Sequence, residues 1–217
     1  MSTREIKERP ILFSGEMVRA ILDNRKTQTR RVVKWPKWSD QTDPHQIAGL
    51  VEHRGIAWYE EGRPVKRYTC PYGVPGDRLW VRESWGLVAE NSGPHRLIRY
   101  RATTPTAAMG LRWRPSIHMP RWASRLTLDV VSVKVERVQE ISEADAAAEG
   151  MTTPMLEVDD EVEELSQEDY DSGYFRPKSD YSLAGEFSHL WDSINAARGY
   201  GWSVNPWCWC LTFRVLR

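Results

Sequence analysis

The residues of this chain best suited to chemistry lie in one short basic segment, 24–31. It carries four cations and two threonine hydroxyls directly after an amphipathic stretch. Four positive charges repel one another, so an anionic group opposite them would explain the arrangement, and the threonines add directional donors and acceptors. A solvated basic loop that leads into a strand explains the same pattern, because charge runs are common on exposed faces. Both interpretations remain open.

A second segment, 112–122, interleaves cations with indole rings. This mixture suits nucleic acids, because phosphates pair with Arg while bases stack on aromatic rings for about 1 to 3 kcal/mol each. The candidate contacts are Trp113, Arg114 and Trp122. Stacking of Arg on Trp within the protein explains the pattern equally well.

Two helices must position the basic segment and a carboxylate that follows much later. Apolar residues recur at helical spacing after a suitable N-cap, Ser14, and the pattern ends at Asn24, which tolerates the left-handed conformation. A capping box that starts at Ser142 predicts a short helix running to Glu149 and stopping at Gly150. The carboxylate of Glu149 would then oppose the helix dipole, so we expect either a cation beside it or, more commonly, exposure to water.

The remaining pattern predicts an α+β protein. Alternation predicts strands near 10–13, 78–85, 96–101, 126–138 and 207–216, with a hairpin around 55–59. A longer helix is predicted over 183–194, before Gly199. The strands do not alternate regularly with helices, which favours a small mixed β-barrel of mostly antiparallel strands with peripheral helices. We expect one domain over 1–217, with insertions near 35–75 and 152–180.

Composition places the chain among ordinary globular proteins. It is 41% hydrophobic and 28% charged, and no apolar run approaches the roughly 20 residues that a membrane span requires. The charged N-terminus does not resemble a signal sequence. We therefore expect a cytoplasmic protein that does not interact with membranes.

The net charge of zero hides an asymmetry. Residues 157–171 hold nine of the 30 acidic residues and no Lys or Arg, so the rest of the chain is basic. That basic remainder could attract polyanions, while the acidic segment could fold back on it, serve as a docking surface or act as a solubilising insert.

Cysteines and known motifs argue against a cofactor. Cys208 and Cys210 alternate on one predicted strand, where a disulfide would be strained, and Cys70 stands apart. We expect three buried, reduced thiols. The chain has no phosphate-binding glycine loop, zinc-protease motif, nucleophile elbow or dinucleotide fingerprint, and we expect neither a metal nor another cofactor.

Four segments together resemble the ASCH domain, a PUA-like β-barrel associated with RNA. They are 15–31, 75–83, 141–150 and the C-terminal strand, and the resemblance covers most of the chain. Within that group the chain is most similar to members from bacteriophages and prophages, which also carry a segment like 113–122. The resemblance implies a PUA-like fold and a place in the cytoplasm of a bacterial host cell.

The resemblance also implies a candidate activity. A small bacterial ASCH member is an amidohydrolase that removes acetyl from N4-acetylcytidine, using a lysine and a threonine in a Gly-Arg-Lys-Thr-x-Thr element and a later glutamate. The matching positions here are Lys26, Thr29 and Glu149. This chain departs from the element at Asn24, which stands where glycine does, and Asn also accepts the left-handed geometry.

The implied roles are chemically coherent. Lys26 would act as base, its pKa lowered by the neighbouring Arg25, Arg30 and Arg31. Thr29 would be the nucleophile, and Glu149 would orient the lysine or carry a proton to the leaving amine. Either Arg30 or Arg82 would hold a phosphate or polarise a carbonyl.

Two other classes of function compete with an amidohydrolase. Other ASCH proteins resemble RNA-binding modules or ribonucleases, and a basic cleft with stacking rings would serve RNA or DNA as well. A phage accessory protein without catalytic activity that binds a host protein is the third class. The sequence does not fix the base, the acyl group or the oligomeric state.

Overall fold

Three sheets and three α-helices make up the part of the chain that is described by the computed structural model, namely residues 4–34, 50–51, 55–60, 63–89, 96–104, 111–152 and 182–216. The strands are β1 (Glu8–Leu12), β2 (Gln28–Val32), β3 (Leu50–Val51), β4 (Gly55–Glu60), β5 (Arg63–Tyr68), β6 (Arg78–Arg82), β7 (Trp85–Ala89), β8 (Arg96–Tyr100), β9 (Thr127–Arg137) and β10 (Trp207–Leu216). The helices are α1 (Gly15–Leu22), α2 (Glu143–Ala148) and α3 (Leu183–Asn195).

The largest sheet has five strands in the order β1-β6-β9-β10-β2. Its pairs are antiparallel except for β1 with β6, which is parallel. The predicted α+β class with mostly antiparallel strands is therefore confirmed. Within the described ranges no pairing joins the outer strands β1 and β2, so the sheet is not closed into a barrel there.

Strand β10 is buried on both faces. Trp209, Leu211 and Phe213 pack into the main core, as the predicted alternation requires. Cys208 and Cys210 point to the other face, into a second core that α3 covers. Both thiols are buried and reduced, as is Cys70, and the first two sulfur atoms lie 3.7 Å apart.

The predicted helix ends are confirmed in atomic detail. The Ser14 hydroxyl accepts a hydrogen bond from the N–H of Met17, and Asn24 has φ 58°. The Ser142 hydroxyl accepts from the N–H of Asp145 at 3.1 Å, which completes the capping box that opens α2. Local sequence alone specifies these ends, because the capping groups lie within one helical turn of the residues they satisfy.

The structure describes part of the insertion predicted near 35–75. The hairpin predicted around 55–59 is present as β4 and β5, and β3 extends it to a three-stranded sheet. Residues 35–49, and 153–181 with the acidic segment, lie outside the described residues. No helix among the described residues is long and apolar enough to cross a membrane.

A buried carboxylate fastens the N-terminus to the turn before β6. Asp77 is 1% exposed and accepts hydrogen bonds from Arg4 and Arg9 at 2.5 and 2.7 Å, and from the backbone N–H groups of Lys7 and Val74. Burial alone would raise the pKa of Asp77, but the bonds from Arg9 and the backbone outweigh it and hold the pKa below its ordinary value of 3.8.

We expect Asp77→Asn to lower the free energy of unfolding at neutral pH by about 2 to 3 kcal/mol, because two guanidinium groups lose their anionic partner. A lowered carboxyl pKa stabilises the fold above the unfolded pKa of 3.8, and that stability is lost as pH falls through the folded value. The difference between the two proteins in urea unfolding should therefore shrink below about pH 4.

The matched control is Asp129→Asn, which removes a carboxylate paired with the 71% exposed Arg214. That change should cost about 0 to 1 kcal/mol. Equal losses in the two variants would contradict the structural role of Asp77.

Candidate functional site

The turn after α1 directs Lys26 inward and Arg25 outward. The N–H groups of Arg25 and Lys26 both donate to the carbonyl of Ala20, at 2.8 and 2.9 Å, and Asn24 supplies the left-handed residue that this tight turn requires. Lys26 is 1% exposed, whereas Arg25 is exposed and pairs with Asp23. The predicted basic loop therefore divides its cations between the interior and the surface.

A glycine lets the end of α2 approach this turn closely. A Cβ on Gly150 would lie 3.0 Å from the Cβ of Ala20 and 3.2 Å from that of Lys26, and its φ of +93° disfavours other residues. The N–H of Thr27 donates to the carbonyl of Ala148 at 2.8 Å, which fixes the two segments together. Glu149 is consequently placed beside Lys26, although 123 positions separate them.

Lys26 and Glu149 form a buried ion pair. The Nζ of Lys26 lies 2.5 Å from Oε2 of Glu149 and also donates to its backbone carbonyl at 2.8 Å. Glu149 is 3% exposed. Of the two outcomes expected for a carboxylate at this helix end, the structure has the compensating cation and not exposure to water.

Burial lowers the pKa of Lys26 below its ordinary value of 10.5. The charge and the hydrogen bond of Glu149 oppose this shift, while the charges of Arg31 and Arg30 add to it. The sequence predicts that repulsion from neighbouring arginines lowers this pKa. Desolvation of the ammonium group on burial is the larger cause, and a linear sequence does not show which side chains are buried.

Arg30 is neutralised from within the protein. Its side chain has no exposed surface and faces three carboxylates, those of Glu136 at 3.3 Å, Asp145 at 3.2 Å and Glu149 at 3.7 Å. It also donates to Oε1 of Gln28 at 3.2 Å. A guanidinium so surrounded has little attraction left for an added phosphate, so its main effect is to hold the carboxylates in place.

Arg31 has a different environment. It donates to the carbonyl of Leu12 at 2.6 Å and lies over the ring of Phe13, 5.1 Å from the ring centre. Burial lowers the pKa of its guanidinium, and Tyr72 and Glu149 oppose that change. Arg31 forms no ion pair with a carboxylate of the described residues, so its positive charge is not cancelled as that of Arg30 is.

A cavity of about 540 Å³ opens against this cluster. Thr29 and Glu149 line it, while Lys26 is not part of its wall and reaches it through Glu149. The other side chains that line it are Met17, Arg30, Arg31, Val32, Lys34, Tyr72, Phe187, Leu190, Trp191, Ile194, Asn195, Arg198 and Tyr200. This volume and this mixture of rings and charges suit a small organic ligand.

Three buried polar atoms of the lining residues have no hydrogen-bond partner among the described residues. They are Oε1 of Glu149, Nε of Arg30 and Nε of Arg31. Buried polar groups normally have partners, so unsatisfied ones at a cavity are expected to bind a ligand or water. The Thr29 hydroxyl forms no hydrogen bond with another described residue either, and catalytic hydrogen bonds often form only when substrate is present.

Comparison of the chain with protein-family models, with curated proteins and with solved structures finds no match.

The other predicted contacts do not line this cavity. Arg82 donates to the carbonyl of Met119 at 3.0 Å and lies over Trp80. Arg25 reaches the carbonyl of Gly150. The predicted contacts of the segment 112–122 lie around the buried Trp85 instead. Arg114 lies 5.0 Å from the ring centre of Trp85, and the rings of Trp122 and Trp85 meet in an edge contact with their centres 5.7 Å apart. Trp113 lies beside Gly86, the next residue along the chain after Trp85.

Among the residues of the cavity wall that sequence reasoning missed are two cations, Lys34 and Arg198, and two phenols, Tyr72 and Tyr200. Tyr72 and Tyr200 both adjoin glycine in turns that follow regular elements, where an aromatic residue has no obvious place in the core. This local signal could have identified them. Lys34 and Arg198 carry no such signal, because nothing in the sequence shows that β2 and α3 end at the same cavity.

We expect strong energetic coupling between Lys26 and Glu149. Lys26→Met alone should lower the free energy of unfolding by about 3 to 5 kcal/mol, because it leaves a buried carboxylate without its closest cation. Glu149→Gln alone should have a similar effect. The double variant should lose much less than the sum, and urea unfolding of all four proteins measures the difference.

The control cycle is Arg121→Met with Glu8→Gln, a pair whose side chains are 44% and 38% exposed. Its coupling should stay within about 1 kcal/mol. Additive effects at positions 26 and 149 would show that the two side chains are not paired in solution.

Proposed function

We propose that the cavity binds an N4-acylated cytosine nucleoside or nucleotide and that the protein hydrolyses its amide bond. The observation that carries this proposal is a buried Lys26–Glu149 pair behind a 540 Å³ cavity whose wall includes the Thr29 hydroxyl. The resemblance to ASCH amidohydrolases assigns the same three residues, and the structure supplies an independent reason to group them.

Burial of the pair supports a base at Lys26. In a site with little water, the charged form of the pair is stabilised less relative to its neutral form. The proton can therefore pass from Nζ to Oε2 across 2.5 Å, which leaves Lys26 as a free amine. Nζ then accepts the hydroxyl proton of Thr29 as Oγ1 bonds to the acyl carbon. The proton on Glu149 goes to N4 as the C–N bond breaks, which leaves an acyl-threonine and the amine.

Water completes the cycle. A water molecule loses a proton to Glu149 and attacks the acyl carbon, the C–Oγ1 bond breaks, and Thr29 recovers its proton from Lys26. The products are the carboxylic acid and the unmodified base, and the ion pair is restored when Glu149 returns its proton to Lys26. No cofactor takes part in this sequence.

The cavity wall supports a planar, aromatic substrate. Tyr72, Phe187, Trp191 and Tyr200 all line it, and a base stacked on such rings gains about 1 to 3 kcal/mol. Oε1 of Glu149 has no hydrogen-bond partner among the described residues, which leaves it an acceptor for the N–H of the substrate amide.

We also propose that the five-stranded sheet belongs to a PUA-like barrel of the ASCH type. The mixed pairing of this sheet supports this, as does the contact between the turn after α1 and the end of α2, where Lys26 meets Glu149. The phage members that the chain resembles suggest that the reaction takes place in the cytoplasm of a bacterial host.

The test is hydrolysis of N4-acetylcytidine by the intact chain, followed by chromatography. Lys26→Ala and Thr29→Val should each lower kcat/KM at least about 100-fold, because general-base and nucleophilic steps are lost. Thr27→Val is the matched control, since Thr27 is an exposed neighbour that does not line the cavity. It should retain full activity.

Thr29→Val is nearly isosteric, so we expect it to fold. If Lys26→Ala unfolds, Thr29→Val still tests whether activity is lost because a catalytic group is missing. Thermal unfolding of each variant checks directly whether it folds. An intact wild-type protein that releases no acetate, or a Thr29→Val variant with unchanged turnover, would overturn the proposed mechanism.

A second candidate function, binding of single-stranded nucleic acid, is favoured by one observation. Trp122 is 66% exposed, and its ring stands at 87° to the ring of Trp85. Arg114 beside it is also exposed. Exposed rings among cations are the usual platform for unpaired bases. Arg114 already stacks on Trp85, however, which supplies the purely internal explanation for that residue.

For this second candidate, Trp122→Ala should weaken binding of a short single-stranded RNA by about 1 kcal/mol or more. Val131→Ala, which removes an apolar side chain that is 50% exposed, is the control and should leave affinity unchanged. Fluorescence anisotropy at two salt concentrations measures both. Equal affinity of the three proteins would exclude Trp122 as a stacking platform.

A further inference from the structure

The cations around the cavity are not equivalent. Arg30 faces three carboxylates and Lys26 is paired with Glu149. Lys34 and Arg198 line the same cavity, are exposed, and form no ion pair with another described residue. Within the described part of the chain, the buried charges are therefore balanced by carboxylates, whereas those of the exposed Lys34 and Arg198 are not.

These two cations come from different elements. Lys34 follows β2 by two residues, and Arg198 ends the short 3-10 turn, Ala196–Arg198, that continues α3. Arg31 adds a third cation without a carboxylate partner among the described residues. Among the described residues that line the cavity, Glu149 is the single acidic side chain, and it pairs with Lys26.

An excess of unbalanced positive charge along one wall attracts an anion. The rings suit a base, as does Oε1 of Glu149, which lies 3.7 Å from Arg30 but has no hydrogen-bond partner among the described residues. An anionic group on the same ligand would then face the cations at Lys34 and Arg198. Phosphate on a nucleoside has this arrangement. A cavity of about 540 Å³ is within the range that encloses one small ligand.

We infer that the cavity takes a nucleoside monophosphate, with the phosphate held by Lys34 and Arg198 and the base directed toward Glu149. This inference deepens the proposed function and rests on it for the identity of the base. It reassigns the phosphate contact expected from the sequence, since Arg30 is already neutralised and Arg82 is bound to the carbonyl of Met119.

Arg198 also lies at the C-terminal end of α3, where a cation stabilises the helix without any ligand. A loss of stability in an Arg198 variant would therefore not support a phosphate site. The informative quantity is the preference for the nucleotide over the nucleoside, because a purely structural role would not change that ratio.

The experiment compares binding of cytidine and cytidine 5′-monophosphate by calorimetry, and hydrolysis of their N4-acetyl derivatives, with the intact chain. The wild type should prefer the nucleotide by about tenfold at low salt, with the preference falling as salt rises. Lys34→Ala/Arg198→Ala should bind both forms equally. The control is Lys134→Ala, which changes an exposed lysine that does not line the cavity, and this variant should keep the preference.

The outcomes separate this inference from the proposed function. If an active wild type binds and hydrolyses the nucleoside and the nucleotide equally well, the phosphate site is overturned and the proposed hydrolase activity stands. Nucleotide binding that depends on Lys34 and Arg198, without hydrolysis, would support the phosphate site and overturn the hydrolase. Tighter binding of an oligoribonucleotide than of the mononucleotide would replace the monophosphate with RNA, and no binding or hydrolysis would overturn both.

Discussion

The pairing of Lys26 with Glu149 is the interaction on which the arrangement of this site depends. Two opposite charges with almost no exposed surface are stable only when each satisfies the other, since removal of charges from water is costly. The pair joins the turn after α1 to the end of α2, and Gly150 provides the space that this contact needs. The Nζ donor also satisfies a carbonyl at the end of α2, where a carboxylate by itself would be unfavourable.

Charge around the cavity is graded from inside to outside. Arg30 is surrounded by Glu136, Asp145 and Glu149, so its role is internal and it fixes the carboxylates. Lys34 and Arg198 have no such partners in the described part of the chain and face the cavity from the surface. This gradient fits the proposed function, in which a neutral amide reacts in the interior and a charged group of the ligand is bound at the opening. It also explains why a run of cations in the sequence does not correspond to one basic surface.

The segment 112–122 illustrates how one pattern serves two purposes. Met119 and Ala123 are fully buried with Trp85, and Arg114 lies over the same ring, so much of the segment closes a small third core. Trp122 remains largely exposed. Tryptophan and arginine at alternating positions therefore give no functional signal by themselves, because stacking inside the protein uses the same side chains as stacking on bases.

Much of the local structure could be predicted from the sequence. Ser14, Asn24 and the capping box at Ser142 specified the ends of α1 and α2, because capping is satisfied within one turn of chain. Alternation identified β6, β9 and β10, although it did not show that β10 is buried on both faces, since burial of Cys208 and Cys210 requires α3 to cover them.

The choice of Lys26, Thr29 and Glu149 came from motif resemblance, and no spacing in the sequence requires residues 26 and 149 to touch. Only the tertiary structure decided which cations are neutralised, that burial lowers the pKa of Lys26, and that Tyr72 and Tyr200 share a cavity with Lys34 and Arg198. The physical reason is that hydrogen bonds and alternation act between near neighbours, whereas burial and charge balance depend on which distant segments the fold brings together.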